Sequence, residues 1–284
     1  MQTIVPDFYK TFRCKADRCE HNCCKGWEIG IDDDTTCLYL ELKTPLGDEI
    51  RKNIQPCETG YCFTLTKDKK CPFLQEDGLC RIILESDEDN LCEICHMHPR
   101  FFTYLENVEL AGLGLCCEEV VSLLLATPET LTFLNQKTNE RLTLSGVLKL
   151  LEIAVDEDDL HFQTNTQIEF LKRMVHRLSK TSPIDESWMN LLKRVQDGVM
   201  DYDIADTIME EQQPIYDKIM HYVIYRQLEK LQYISWSVLL NYACVNVNFI
   251  FQAAMMTDDL PEVLRLWSAQ MEYDTDNVAL LLEE

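Results

Sequence analysis

The chain has 284 residues, 46% hydrophobic and 26% charged, which is enough to bury a real core and argues against wholesale disorder. Its 49 acidic residues against 26 basic ones give a formal charge of -23, which argues against nucleic acid as a partner, since phosphate binding needs a basic face. Only 9 Gly and 9 Pro argue against a turn-rich all-β protein.

In chain order, "MQTIVPDFYKTF" reads as an aromatic-rich lead-in. Pro6 and Asp7 stand where an export signal would need an apolar run, so the expectation is a cytoplasmic protein. "CKADRCEHNCC" follows, then "GWEIGID", a short alternating stretch. Helical periodicity is expected from Thr35, with Asp34 as N-cap. "CETGYCFTLTKDKKCPFLQEDGLCRIILES" has turn signals at Thr59-Gly60, Asp68 and Asp77-Gly78 with β-like runs between, which predicts a small hairpin. From Glu118 the character changes. "EEVVSLLLATPETLTFL" is apolar at helical intervals and acidic in its first turn. "TLSGVLKLLEIAV", "TQIEFLKRMVHRLSK", "DESWMNLLKRVQDGV", "PIYDKIMHYVIYRQLEKLQYISWSVLL", "VNFIFQAAMMTDDL" and "LPEVLRLWSAQMEYDTDNVALLLEE" read as further helices parted by polar or Pro-bearing turns. The uncharged stretch Leu231 to Thr257 is long enough for a bilayer. It carries Gln232, Asn241, Asn246, Asn248 and Gln252, so a buried central helix is expected and not a membrane span. The predicted fold is mainly α. A cysteine-rich metal-binding module with short strands (1–120) is expected to pack on a helical module (121–284).

Thirteen of the 14 cysteines lie at or before position 117, and only Cys244 lies beyond. Core cysteines would scatter with length, so the N-terminal region has chemistry of its own. Disulfides belong to exported chains, and intracellular thiols at short spacings read as metal ligands. Zinc and iron–sulfur clusters take the same soft donors, and spacing alone leaves both open. The single CxxC knuckle is Cys92/Cys95, and the first group is spaced C-x4-C-x3-CC. Pro72 after Cys71 and the Asp77-Gly78 turn suggest that Cys71 and Cys80 face one ion. Side chains of adjacent residues diverge, so one of Cys23/Cys24 and one of Cys116/Cys117 is expected to ligate while the other packs or serves a second site. His21, His96 and His98 are read as polar neighbours, and Cys37, Cys57, Cys62 and Cys244 as core or surface thiols. Trp27, Phe101 and Phe102 are read as packing. No G-x-G-x-x-G, P-loop, H-E-x-x-H or G-x-S-x-G motif occurs, nor the C-x3-C-x2-C of radical S-adenosylmethionine enzymes.

"CKADRCEHNCCKGWEIGID", "CPFLQEDGLCRI", "LCEICHMHPRF" and "LCCEEVVSLLL", in this order, resemble the flagellin lysine-N-methylase family, within the wider group of cysteine-rich zinc- or iron-chelating proteins. The resemblance covers roughly the first 125 residues, with "HYVIYRQLEK" and "LWSAQMEYDTDNVALLLEE" similar to the family's closing helices. His98 stands where an aromatic residue is usual, and Glu118 where proline is usual. The resemblance implies Cys14, Cys19, Cys23, Cys24, Cys71, Cys80, Cys95 and Cys117 as metal ligands. It also implies an iron–sulfur cluster of the [4Fe–4S] type, with zinc as the alternative, and methyl transfer from S-adenosylmethionine to lysines of flagellin. Such a transfer needs a base, and Asp32 is the acidic candidate nearest the cysteine group. The contrasting expectation is a non-catalytic zinc- or iron-binding protein that shares only the cysteine scaffold.

Overall fold

The computed structural model describes residues 1–282 apart from 59, 129, 166 and 199–201, with the backbone alone over 202–210. Thr59 of the expected turn therefore lies outside the described residues, as do the residues at the ends of three expected helical segments, Thr166, Val199 and the closing Glu283 and Glu284. Helices make up 54% of the chain, with short strands among them. Eight strands occur among the described residues: β1 (Gln2–Pro6), β2 (Gly30–Ile31), β3 (Ile54–Cys57), β4 (Gly60–Phe63), β5 (Arg100–Leu105), β6 (Val108–Leu113), β7 (Phe133–Asn135) and β8 (Arg141–Leu142).

Contacts gather the chain into two compact units, residues 13–100 and residues 1–12 with 101–284. The division near residue 120 rests on cysteine density, and these units rest on which segments pack together. The lead-in belongs with the later residues because it is a strand. β1 pairs in parallel with β6 and antiparallel with β7, in a sheet ordered β5-β6-β1-β7-β8. β1 carries little strand signal of its own, because Pro6 and Asp7 follow only three apolar residues.

In the larger unit, the Tyr225 hydroxyl donates to Ile4 O at 2.8 Å or to Ala111 O at 3.0 Å, and its ring stacks on Phe133 at 4.4 Å. The Tyr222 hydroxyl donates to Leu113 O at 2.6 Å and accepts from Leu113 N at 2.9 Å. Two tyrosines thus fasten the helix Tyr202–Gln227 to the sheet through their polar tips, and their rings fill the core. Arg226 is buried beside them. Its guanidinium lies 4.4 Å over Phe101 and 5.0 Å from the Tyr273 ring, and its Nε is 3.3 Å from Glu272 Oε1.

The expected helix from Glu118 is Glu118–Ala126, and it ends before Thr127-Pro128 because the residue before proline is pushed out of the helical region. "TFL" beyond it is not helical: Phe133 and Leu134 enter β7. The segment from Pro214 to Leu240 is likewise two helices. A 3-10 turn over Leu228–Gln232 ends the first, and Ser235 opens Trp236–Thr257 by accepting from Val238 N. That second helix is long and apolar enough to cross a membrane, but 72% of its most apolar window is buried inside the protein. Its two buried asparagines are satisfied there. Asn246 accepts from Trp267 Nε1 at 2.7 Å, and Asn248 accepts from Asn165 N at 2.7 Å.

The smaller unit has a three-stranded sheet, β2-β4-β3, and short helices. The hairpin predicted from the turn signals is β3–β4, with Gly60 at φ +122, a region that favours glycine. The first helix begins two residues before expectation, at Asp33, with Asp32 and not Asp34 as its N-cap. The capping oxygen must reach the N–H three residues on, and only Asp32 is extended at the helix entrance. Ile29, Ile31, Tyr39, Leu46, Ile50, Phe63, Phe73 and Ile82 form this unit's core.

Candidate metal centre

Five thiols belong to the core of residues 13–100: Cys71 and Cys92 are buried, and Cys24, Cys80 and Cys95 pack against them half-buried. Local backbone pairing explains why they meet. Lys25 bridges to Lys70, Gly26 N donates to Lys69 O, and Cys71 N donates to Cys24 O at 2.8 Å, so the Cys-Cys stretch runs alongside the approach to Cys71. The chain then turns at Asp77-Gly78, with Gly78 at φ +85, and Leu74 bridges to Cys80. The Asp77-Gly78 signal therefore does return Cys80 toward Cys71. Asn22 Nδ2 donates to Gly78 O at 3.3 Å and ties this turn to the first cysteine group.

Cys92 and Cys95 come from the CxxC knuckle. Cys92 is the N-cap of the helix Glu93–Met97, as Cys80 is of Arg81–Glu85. Two of the thiols therefore sit where short helices begin. Arg81 holds its short helix in place by an ion pair with Glu49 at 2.6 Å and another with Glu85.

The sulfurs sense one another. Cys24 is pushed up by its hydrogen bond with Cys23, by burial, and by the negative charge of Cys23, Cys71 and Cys80. Cys71 is pushed up to about 11, first by burial. Cys95 is pushed up and Cys92 pulled down by the hydrogen bond they share. Buried Tyr39 stands beside this group. Burial and then the charges of Cys92, Cys95 and Cys80 raise its proton affinity, and its hydroxyl donates to Asn90 O at 2.7 Å. Mutually repelling soft donors in an apolar setting suit a soft cation, which removes the repulsion and selects the thiolate form.

Of the eight cysteines implied by the resemblance, Cys24, Cys71, Cys80 and Cys95 are in this core group. Cys23 is exposed, and its thiol hydrogen-bonds Cys24, which with His98 pulls it down. The two adjacent sulfurs meet where divergence was expected. Cys14 is exposed and accepts from Ala16 N at 3.4 Å, and half-buried Cys19 closes the 3-10 turn Ala16–Arg18. Cys117 is the N-cap of Glu118–Ala126 in the larger unit and packs against that unit's core. Cys92 is the member that the resemblance did not supply. The CxxC spacing carried the signal, since a knuckle brings both of its thiols to one place. His98 is a neighbour of this group, with its ring 6.2 Å from that of Trp27, whose Nε1 donates to Cys23 O at 2.6 Å.

Asp32 has two backbone partners. Oδ1 accepts from Thr35 N at 2.9 Å, and Oδ2 accepts from Glu93 N at 2.7 Å. One carboxylate thus caps the first helix and the start of the knuckle helix. Burial pulls its pKa upward, but the two N–H donors outweigh it and hold the group below its ordinary value.

Comparison with known proteins gives the chain its relatives. The chain is 31% identical over 144 residues to the flagellar biosynthetic protein FliU of Salmonella muenchen, covering 84% of that protein and 48% of its own length. It is 27% identical over 211 residues to the lysine-N-methylase of Salmonella typhimurium, covering 52% of that protein and 69% of its own length, and matches the Salmonella choleraesuis lysine-N-methylase to the same extent. The chain belongs to the flagellin lysine-N-methylase family. As a member of that family it spans about half the length of the lysine-N-methylases it matches. No family model matches it, and no solved structure does.

Proposed function

We infer that this member of the family takes part in S-adenosylmethionine-dependent N-methylation of lysines on flagellin, in the cytoplasm, and that residues 13–100 hold an iron–sulfur centre. The observation that carries the metal reading is the gathering of Cys24, Cys71, Cys80, Cys92 and Cys95 in one core from three separate stretches, the first two joined by backbone pairing and the knuckle held through the Asp32 carboxylate. The relatives' names, lysine-N-methylase and flagellar biosynthetic protein, support the reaction and its flagellar connection.

The donor set fits the group. Four thiolates hold a [4Fe–4S] cluster, and five are present here, two of them at helix N-termini. When bound, the centre supplies a soft cationic anchor for the thiolates and fixes the loops that carry them. The transfer itself makes simple demands. The lysine amine must first lose its proton, against an ordinary pKa of about 10.4. Its lone pair then forms the N–C bond as the methyl–sulfonium bond breaks, S-adenosylhomocysteine leaves, and the amine's remaining surplus proton passes to a base or to water. Asp32, once the candidate base, suits that task poorly. Both of its oxygens accept N–H donors and its proton affinity is lowered, so its role is to position the knuckle helix.

The test is incorporation of labelled methyl groups from S-adenosylmethionine into purified flagellin by the full chain, prepared anaerobically, beside Cys71→Ser and Cys95→Ser variants. The expected result is methylation by the parent and none by the variants. No methylation by a folded, metal-loaded parent chain would overturn the enzymatic reading and leave a metal-binding protein.

A further inference from the structure

A second group of soft donors lies outside the five-thiol core. Among the described residues, Glu28, Cys57 and Cys62 bring one ligand atom each to within 4.8 Å of one another. Strand register accounts for this. Cys62 of β4 stands opposite Gly30 of β2 on one side and Gln55 of β3 on the other. Residues directly opposite in antiparallel pairs share a face, and side chains alternate with period two. Cys57, two residues beyond Gln55, therefore lies on the face of Cys62. Glu28 lies two residues before Gly30, where the pairing continues through Phe63 N donating to Ile29 O at 3.1 Å, so it shares that face as well.

We propose that Glu28, Cys57 and Cys62 form a second metal site, taking Zn2+ through two thiolates and one carboxylate. It is separate from the centre of the proposed function and does not rest on it. The spacing Cys57-x4-Cys62 across a hairpin falls within the range typical of paired zinc thiolates. Tetrahedral Zn2+ with ordinary bond lengths holds its ligand atoms about 3.5–3.8 Å apart, so the three atoms, within 4.8 Å of one another, need to close by at most about 1.3 Å. Cys62 is fully buried and fixed by the sheet, Cys57 is half-buried, and Glu28 is exposed, so the side chain that moves is the one with room to do so. Three protein ligands leave the fourth position to water. The ion ties β2 to the β3–β4 hairpin across strands that are short and otherwise held by few ladder hydrogen bonds.

The experiment is a Zn2+ titration of the full chain under reducing conditions, with metal counted after desalting, for the parent, Glu28→Gln, Cys57→Ser and Cys57→His. Both the glutamate and the Cys57 side chain have room to change without emptying the core, so folding, followed by far-UV circular dichroism, is expected to persist. The parent is expected to retain one zinc equivalent more than Cys57→Ser. Glu28→Gln should weaken that equivalent by about 10–100-fold or more, at least the loss seen for outer-shell changes, and Cys57→His should keep it. Co2+ in place of zinc should show a thiolate charge-transfer band that Cys57→Ser loses. Equal zinc content in the parent and Cys57→Ser overturns the proposal. So does a Cys57–Cys62 disulfide forming in air with no zinc equivalent in the reduced protein.

Discussion

At the scale of single residues, the informative side chains are those whose task differs from their type. Asp32 is an acid beside a cysteine cluster, which suggests proton transfer, yet it is bound to the backbone at two helix starts. Replacing it with Ala should cost about 1–2 kcal/mol, the ordinary loss of a helix cap, and loosen the knuckle that bears Cys92 and Cys95. The pH dependence has a definite sign. Because the folded pKa is depressed below its ordinary 3.8, the stabilisation is complete above the unfolded value and disappears as pH falls through the folded one. Urea unfolding of the parent and of Asp32→Asn should therefore differ at pH 7 and converge in strong acid. A constant difference would assign the effect to packing. The five thiols divide similarly. Cys24, Cys71, Cys80 and Cys95 were legible in the motifs, and Cys92 in its CxxC spacing, because short-range spacing survives in sequence. The meeting of those motifs was not legible, because it depends on backbone pairs such as Lys25 with Lys70, far apart along the chain.

At the scale of elements, periodicity located the helices better than their ends. The helices from Glu118, Glu186 and Leu260 carry clear apolar faces, and acidic or capping residues stand at their starts. β1 and β7 escaped notice because three to five residues carry too little alternation, and their strand character comes from the neighbours they pair with. The helix Tyr202–Gln227 shows how polar atoms fasten such a sheet. Tyr225→Phe removes the hydroxyl that serves Ile4 O and Ala111 O, and should cost about 1–2 kcal/mol in denaturant unfolding. Glu272→Ala should cost more, about 3–5 kcal/mol, because it leaves the buried Arg226 cation without its carboxylate. Near-neutral unfolding of Glu272→Ala would mean that the stacked rings of Phe101 and Tyr273 alone suffice for the guanidinium.

At the scale of the whole molecule, the acidic charge and the proposed metal centre make the predictions. A net charge of -23 suits the lysine-bearing target of the proposed function, and on that proposal association with flagellin should weaken as salt rises toward the physiological range, where exposed charges are screened beyond about 8 Å. Salt-independent binding would separate acidity from recognition. If the proposed centre is bound, its binding energy is also folding energy for residues 13–100, whose core includes the thiols themselves, so chelation should lower the melting of that unit selectively. The central claim is that Cys24, Cys71, Cys80, Cys92 and Cys95 hold one metal centre. The most direct measurement is iron, acid-labile sulfide and zinc content of anaerobically purified full chain beside Cys71→Ser, Cys95→Ser and Cys244→Ser. The account predicts iron with sulfide in the parent and in Cys244→Ser, and its loss from the other two. Equal metal in all four proteins would contradict it.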